Sequence, residues 1–122
     1  MNGWLLVAAI SGLLAVVAGA FATHTLQSPA DAHALQIFET GARYHMYHTL
    51  AIGIAAVAMR DRAATAAATA CAFFLAGIIL FSGSLYALAL TGQHGLAMVT
   101  PFGGIAFMAG WAVLAFAATR RA

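Results

Sequence analysis

The chain has 122 residues, of which 64% are hydrophobic and only 7% charged, with a formal net charge of +2. A water-soluble domain covers its surface with charge, about a quarter of its residues, so this composition excludes an ordinary soluble fold and points to one bundle embedded in a membrane. No basic run is interleaved with aromatics, so the small positive excess records membrane topology rather than nucleic-acid binding. The single cysteine, Cys71, sits in an apolar run and reads as a small buried apolar residue rather than a metal ligand or half of a disulfide.

In chain order, Trp4 to Ala22 is the first apolar run, about the 20 residues that cross a bilayer core. No Lys or Arg precedes it and further spans follow, so it reads as a retained helix rather than a cleaved leader. Ser11, Ala15 and Gly19 fall four apart on one face, a small-xxx-small pattern that lets a neighbouring helix approach. Ser28-Pro29-Ala30-Asp31 predicts a helix start, with Ser28 as N-cap, Pro29 in the first turn and Asp31 placed to complete a short capping box. From Pro29 the chain can stay helical to about Met59, well over 40 Å at roughly 1.5 Å per residue. Its first part is therefore expected at the interface, or bent at Gly41, before the second span. Arg60-Asp61-Arg62 is a polar turn. A third span follows, with a polar stripe in Phe81-Ser82-Gly83-Ser84-Leu85-Tyr86. Pro101 opens a fourth helix that carries Gly104 and Trp111.

The expected fold class is thus all-α, a bundle of four transmembrane helices with spans at about 4–22, 42–59, 64–90 and 101–118. Four spans put both termini on one side, together with Arg60, Arg62, Arg120 and Arg121, and the positive-inside rule makes that side cytoplasmic. Arg43 falls on the other side, one helical turn after Glu39, with which it is expected to pair. Helix packing is expected through the small residues Ser11, Ala15, Gly19, Gly83 and Gly104, with Trp111 beside them, and through such faces the protein is expected to form a homo-oligomer or join a larger membrane complex.

The densest chemistry lies in Phe38–His48, which holds a carboxylate, a guanidinium, two imidazoles and two phenols. Tyr44 and His48 share a helical face with Gly41, Ala51 and Ala55, which marks that face as the one turned into the bundle. His24 leaves the first helix at a similar depth, and Ser82, Ser84 and Tyr86 sit in the outer half of the third. A polar cluster of His24, Tyr44, His48, Ser82, Ser84 and Tyr86 is therefore the candidate site, with His45, Glu39 and Arg43 as secondary members. His33 and His94 read as solvated. No catalytic residue is expected, because Ser82-Gly83-Ser84 lies inside an apolar helix rather than on a nucleophile turn.

Four segments resemble the DUF423 family of small bacterial membrane proteins, related to the transmembrane protein 256 group. They are Gly19-Ala20-Phe21-Ala22-Thr23-His24-Thr25-Leu26, Phe38 to His48, Phe81-Ser82-Gly83-Ser84-Leu85-Tyr86, and Pro101-Phe102-Gly103-Gly104 followed by Gly110-Trp111. Ala22, Gly41 and His45 depart from the family's usual Gly, Ala and Gln. The resemblance implies a four-helix protein of the bacterial inner membrane and no established activity.

Three roles fit these residues. In the first, the polar groups hydrogen-bond across helices and fix their packing, in a structural or accessory protein. In the second, paired imidazoles hold a haem or a transition metal; there is no HExxH, carboxylate triad or sulfur ligand, and no cofactor is expected. In the third, an oligomer carries a proton or small solute along the Tyr/His/Ser stripe; the other half of the bundle is nearly all Ala, Leu and Ile, with no continuous polar path. The first is the reading adopted.

Overall fold

A computed structural model describes residues 2–59 and 63–120. The Arg60-Asp61-Arg62 turn and Arg121 lie outside the described residues, and with them three of the arginines on which the orientation argument rests.

The described chain is helical throughout, with four long helices and no strand. These are α1 (Gly3–Thr25), α2 (Ala32–Ala58), α3 (Ala64–Thr91) and α4 (Thr100–Ala118). Asn2 starts α1: its side-chain oxygen accepts the Leu5 N–H at 3.0 Å, and its amide donates to the Ala56 carbonyl at 3.2 Å, which ties this end to the far end of α2. Before α2, Ser28 caps a short 3₁₀ turn, Pro29–Asp31, by accepting the Ala30 N–H. The expected capping box does not close, since Asp31 makes no side-chain bond to the helix start; the intervening 3₁₀ turn makes Asp31 itself the residue from which α2 begins.

α3 is interrupted by a π-helical turn at Ile78–Ser82. It ends at Gly92, whose φ of 70° is the left-handed conformation that glycine adopts freely, with its N–H returned to the Leu88 carbonyl. A 3₁₀ turn, His94–Met98, leads to α4, where Pro101 occupies the first turn and forfeits no helical bond.

α1 lies antiparallel on α2, and α4 lies antiparallel on α3. α2 is the middle element and reaches all three others. α1, α3 and the His94–Ala118 stretch are long and apolar enough to cross a membrane. α2 is long enough, at 27 residues or about 40 Å, but its Arg, Tyr and His residues keep it below that apolar threshold. The exterior of the described residues is far more apolar than that of a soluble protein. Leu13, Val57 and Met108 point outward at 65–66% exposure, while the interior mixes Ala, Gly, Ser and His with buried Ile52, Phe74 and Phe107. Such a surface is stable in lipid, where apolar side chains gain nothing from being buried.

The α3–α4 seam is built on glycine. The Phe107 ring rests on Gly77, the Phe74 ring rests on Gly110, and the Phe81 backbone crosses Gly103; a Cβ at any of the three would lie closer than 3.0 Å to its neighbour. Ser84 meets Thr100 one step further along. These pairs advance along one helix as they retreat along the other, which is the register of an antiparallel pair. Gly41 does the same for α2, with Tyr86 and Leu85 at 3.1–3.2 Å from a Cβ placed there. Of the expected packing positions, Ser11 and Ala15 are buried. Gly19, Gly83 and Gly104 are not close-packed: a Cβ at each meets nothing within 4 Å. Several faces of these helices carry small residues, and spacing alone does not say which one the neighbour occupies.

Candidate functional site

Gly41, His45, His48, Ile52 and Ala55 recur at steps of three and four along α2, and all are buried. This stripe faces the other helices, and its polar members meet partners that are distant in sequence.

The first knot joins three helices. His45 Nε2 lies 3.0 Å from Ser11 Oγ on α1, and its Nδ1 lies 2.9 Å from the Tyr86 hydroxyl on α3. Ser11 Oγ is also 2.6 Å from Thr49 Oγ1, one turn further along α2. Tyr86, His45, Ser11 and Thr49 thus form one hydrogen-bonded chain. It runs in either of two senses, because the imidazole donates from one nitrogen and accepts at the other.

The second knot surrounds His48. Its Nδ1–H donates to the Tyr44 carbonyl at 2.7 Å, which leaves Nε2 as the acceptor for the Trp111 indole N–H at 3.1 Å. These bonds fix a neutral tautomer. The ring stacks on Phe107 at 3.5 Å and 6°, with Phe74 and Trp111 completing the surround.

The third knot fastens the π turn. Ser82 donates to the Gly41 carbonyl at 2.7 Å, while Ser84 bonds the Phe81 carbonyl and the Thr100 hydroxyl. Among the described residues, every buried side-chain nitrogen and oxygen has a hydrogen-bond partner, as a low-dielectric surround demands.

The expected cluster is therefore divided rather than single. Tyr86 belongs to the first knot, His48 to the second, and Ser82 and Ser84 to the third. Tyr44 lends the second knot its carbonyl; its ring is 37% exposed and packs on Phe81 at 4.9 Å. His24 joins none of them: it is exposed in the last turn of α1, two residues and about 200° around the helix from buried Ala22. His45, expected as secondary, is the centre of the first knot. Glu39 and Arg43 are exposed, and among the described residues no ion pair joins them. His33 and His94 are exposed as well.

Ser11, Thr49, Phe74, Thr100 and Phe107 were not marked as site residues by the sequence. Ser11 carries a signal in the sequence, being the one hydroxyl in the middle of the first apolar run, although its four-residue spacing to Ala15 and Gly19 points to packing alone.

No group of three His, Cys, Asp or Glu is placed to hold a metal among the described residues. His48 has both nitrogens engaged, and His45 could ligate only by releasing Ser11 or Tyr86. The geometry favours hydrogen bonding over ligation.

The family model described as "Protein of unknown function (DUF423)" matches residues 18–104. The chain is 44% identical over 116 residues to the "UPF0382 inner membrane protein YgdD" of Escherichia coli K12, covering 95% of this chain and 88% of that protein. It is 42% identical over 116 residues to a "UPF0382 membrane protein" of Haemophilus influenzae, covering 94% and 92%. It is 38% identical over 121 residues to the "UPF0382 membrane protein YwdK" of Bacillus subtilis, covering 98% of each. No solved structure matches the chain.

Proposed function

Because the chain belongs to the DUF423 family, whose function is unknown, we propose a structural or accessory role for it in the bacterial inner membrane, as a small multi-pass protein and not an enzyme. One observation carries this reading: among the described residues every buried side-chain nitrogen and oxygen has a hydrogen-bond partner, and bonds of His45 and His48 cross from helix to helix. α2 crosses the bilayer with the other three helices: its polar His45, His48 and Thr49 turn inward, and beyond the exposed Tyr47 its outward residues Leu50, Ile54 and Val57 are apolar. The termini lie in the cytoplasm, where the arginines at 60, 62, 120 and 121 would all fall. Contact with the lipid bilayer is direct over the apolar exterior, and assembly with a second copy or a larger membrane complex is part of the same reading.

The test is purification in mild detergent, with the visible spectrum and metal content recorded for the parent, His45→Ala and His48→Ala. The expected result is no stoichiometric chromophore or metal, and lowered unfolding midpoints in both variants. A stoichiometric haem or metal lost in both variants overturns the reading. For orientation, Gln93→Cys in a Cys71→Ser background is expected to be labelled from outside intact cells; labelling only after the membrane is opened reverses the assignment.

A further inference from the structure

Glu39, Arg43 and Tyr47 stand four residues apart on α2 and share one outward face. Glu39 and Arg43 are exposed, and Tyr47 is half exposed. With α2 crossing the bilayer as proposed above, the contacts of its other faces set the depth of these groups. His45 and Thr49 both reach Ser11, near the middle of the apolar run Trp4–Ala22, and Phe38 meets Phe21 near the end of that run, with ring centroids 5.3 Å apart. Tyr47 is therefore at mid-depth. Arg43 lies four residues, or about 6 Å, further out, well short of the roughly 15 Å from the midplane to the edge of the hydrocarbon. Glu39 lies one turn beyond Arg43, near that edge. A charge facing lipid at the depth of Arg43 is costly, and charged residues of membrane spans turn to a partner. Among the described residues no ion pair joins Arg43 to Glu39 of its own helix. The outward faces of α1 and α4 differ: at middle depths they present Leu13, Val17 and Met108, which lipid covers without cost.

We infer that this face of α2 is where two copies of the chain meet, with Glu39 of each copy paired to Arg43 of the other. The inference rests on the accessory role and names its partner. The face carries both signs of charge one turn apart, so it is its own complement across a two-fold axis. Copies inserted in the same sense bring their α2 helices together in parallel and at equal depth. The offset between Glu39 and Arg43 is then about 6 Å, which an arginine side chain spans. An arginine–carboxylate pair formed there is two-pronged and shielded from water. Deeper in the bilayer the same face continues through Leu50, Ile54 and Val57, all exposed. The steps from Arg43 to Tyr47, Leu50, Ile54 and Val57 alternate between four and three, the spacing of a seam between two helices that cross at a shallow angle. A second copy thus pairs the charges at one end of the face and packs aliphatic side chains against each other at the other end.

The experiment uses the full-length protein in a Cys71→Ser background, with a single cysteine introduced by Leu50→Cys so that Glu39, Arg43 and Tyr47 stay intact. Inner-membrane vesicles are oxidised with copper phenanthroline, and the adducts are identified by mass spectrometry. Leu50→Cys is expected to give a disulfide-linked pair of this chain in at least about tenfold higher yield than Leu13→Cys or Met108→Cys, because an interface raises the local thiol concentration. Arg43→Glu added to Leu50→Cys sets acid against acid and is expected to cut the yield about tenfold. Glu39→Arg combined with Arg43→Glu exchanges the signs on both helices and is expected to restore it, which separates a charge pair between copies from a loss of folding. If Arg43→Glu does not fold, Arg43→Gln is read in the same way, with a smaller loss. A Leu50→Cys yield no higher than that of Leu13→Cys or Met108→Cys would leave lipid as the cover and overturns the assignment. So does an adduct formed only with a different protein, a yield unchanged by reversing the charge, or an exchange that fails to restore it. Those results leave the accessory role standing; a stoichiometric haem or metal overturns that role without changing the crosslinks.

Discussion

The two helix pairs of the bundle are held by different means. α1 and α2 meet through hydroxyls and an imidazole: Ser11, His45 and Thr49, with Asn2 reaching Ala56 at one end. α3 and α4 meet through rings seated on glycines, Phe107 on Gly77 and Phe74 on Gly110, with backbone against backbone at Gly103. Both solve the same problem. Lipid removes the hydrophobic drive that brings helices together in water, so association relies on directional bonds or on very close packing. The first pair uses bonds and tolerates ordinary spacing, as at Gly12, where a Cβ would meet Thr49 at 3.5 Å. The second pair uses proximity and tolerates no added atom. Mutations that delete bonds should therefore weaken the first seam by degrees, whereas mutations that add atoms should break the second.

The largest effect is expected at Gly103. A Cβ there collides with the Phe81 backbone rather than with the tip of a side chain, and backbone in a π turn already bonded through Ser82 to α2 has little room to move. Gly103→Ala is expected to destabilise by about 3 kcal/mol, at the upper end for overpacking, read as a shift in an SDS unfolding titration from mild detergent. A shift no larger than that of a lipid-facing substitution would mean that the seam is not close-packed.

His48 comes next, because it is where the two seams are joined. His48→Phe keeps a ring to stack on Phe107 but leaves the Trp111 indole N–H without its acceptor. An unpaired donor of this kind costs about 2 kcal/mol, checked in the same titration. Trp111→Phe added to His48→Phe should recover part of the loss, since both polar groups are then gone. If the double variant is no better than the single one, the histidine is valued for something other than this bond.

Below these lies the hydroxyl chain. Ser11→Ala and Thr49→Val each remove a bond from the first seam, and bonds between membrane helices average about 0.6 kcal/mol. Since Ser11 also serves His45, Ser11→Ala is expected to cost about 1 kcal/mol. The double-mutant cycle should show a coupling of about 0.5 kcal/mol or more. Additive losses would indicate that the two hydroxyls do not share a bond.

The unequal legibility of the two seams follows from the same physics. Length and composition disclose a bundle of apolar helices, and Ser28-Pro29 and Pro101 mark helix starts because capping is local chemistry. His48 and Ser82 stand out as polar groups that must be satisfied inside lipid. The partners of such groups are not local. Ser11 lies 34 residues from His45, and Trp111 lies 63 from His48, and nothing in the spacing of either helix encodes the other's rotation. His24 shows the reverse error: it shares a family-like motif and a depth with the cluster, yet the turn of α1 carries it outward. The glycines are the least legible. Gly103 and Gly104 are neighbours with the same side chain, and only the position of Phe81 distinguishes them.

That pair supplies the smallest effect and the sharpest contrast. A Cβ at Gly104 meets nothing within 4 Å, so Gly104→Ala adds no clash. It also replaces the residue that loses most backbone freedom in a helix with the best helix former, a gain of up to about 1 kcal/mol at this half-buried position. The same one-carbon change at adjacent residues is therefore expected to carry opposite signs, lowering the SDS midpoint at Gly103 and leaving or raising it at Gly104. Equal losses at both would mean that α4 is rotated from its place against α3, and the pairings of Gly77, Gly103 and Gly110 would move with it. A loss at Gly104 alone would shift the seam by one residue, which would also take Thr100 away from Ser84.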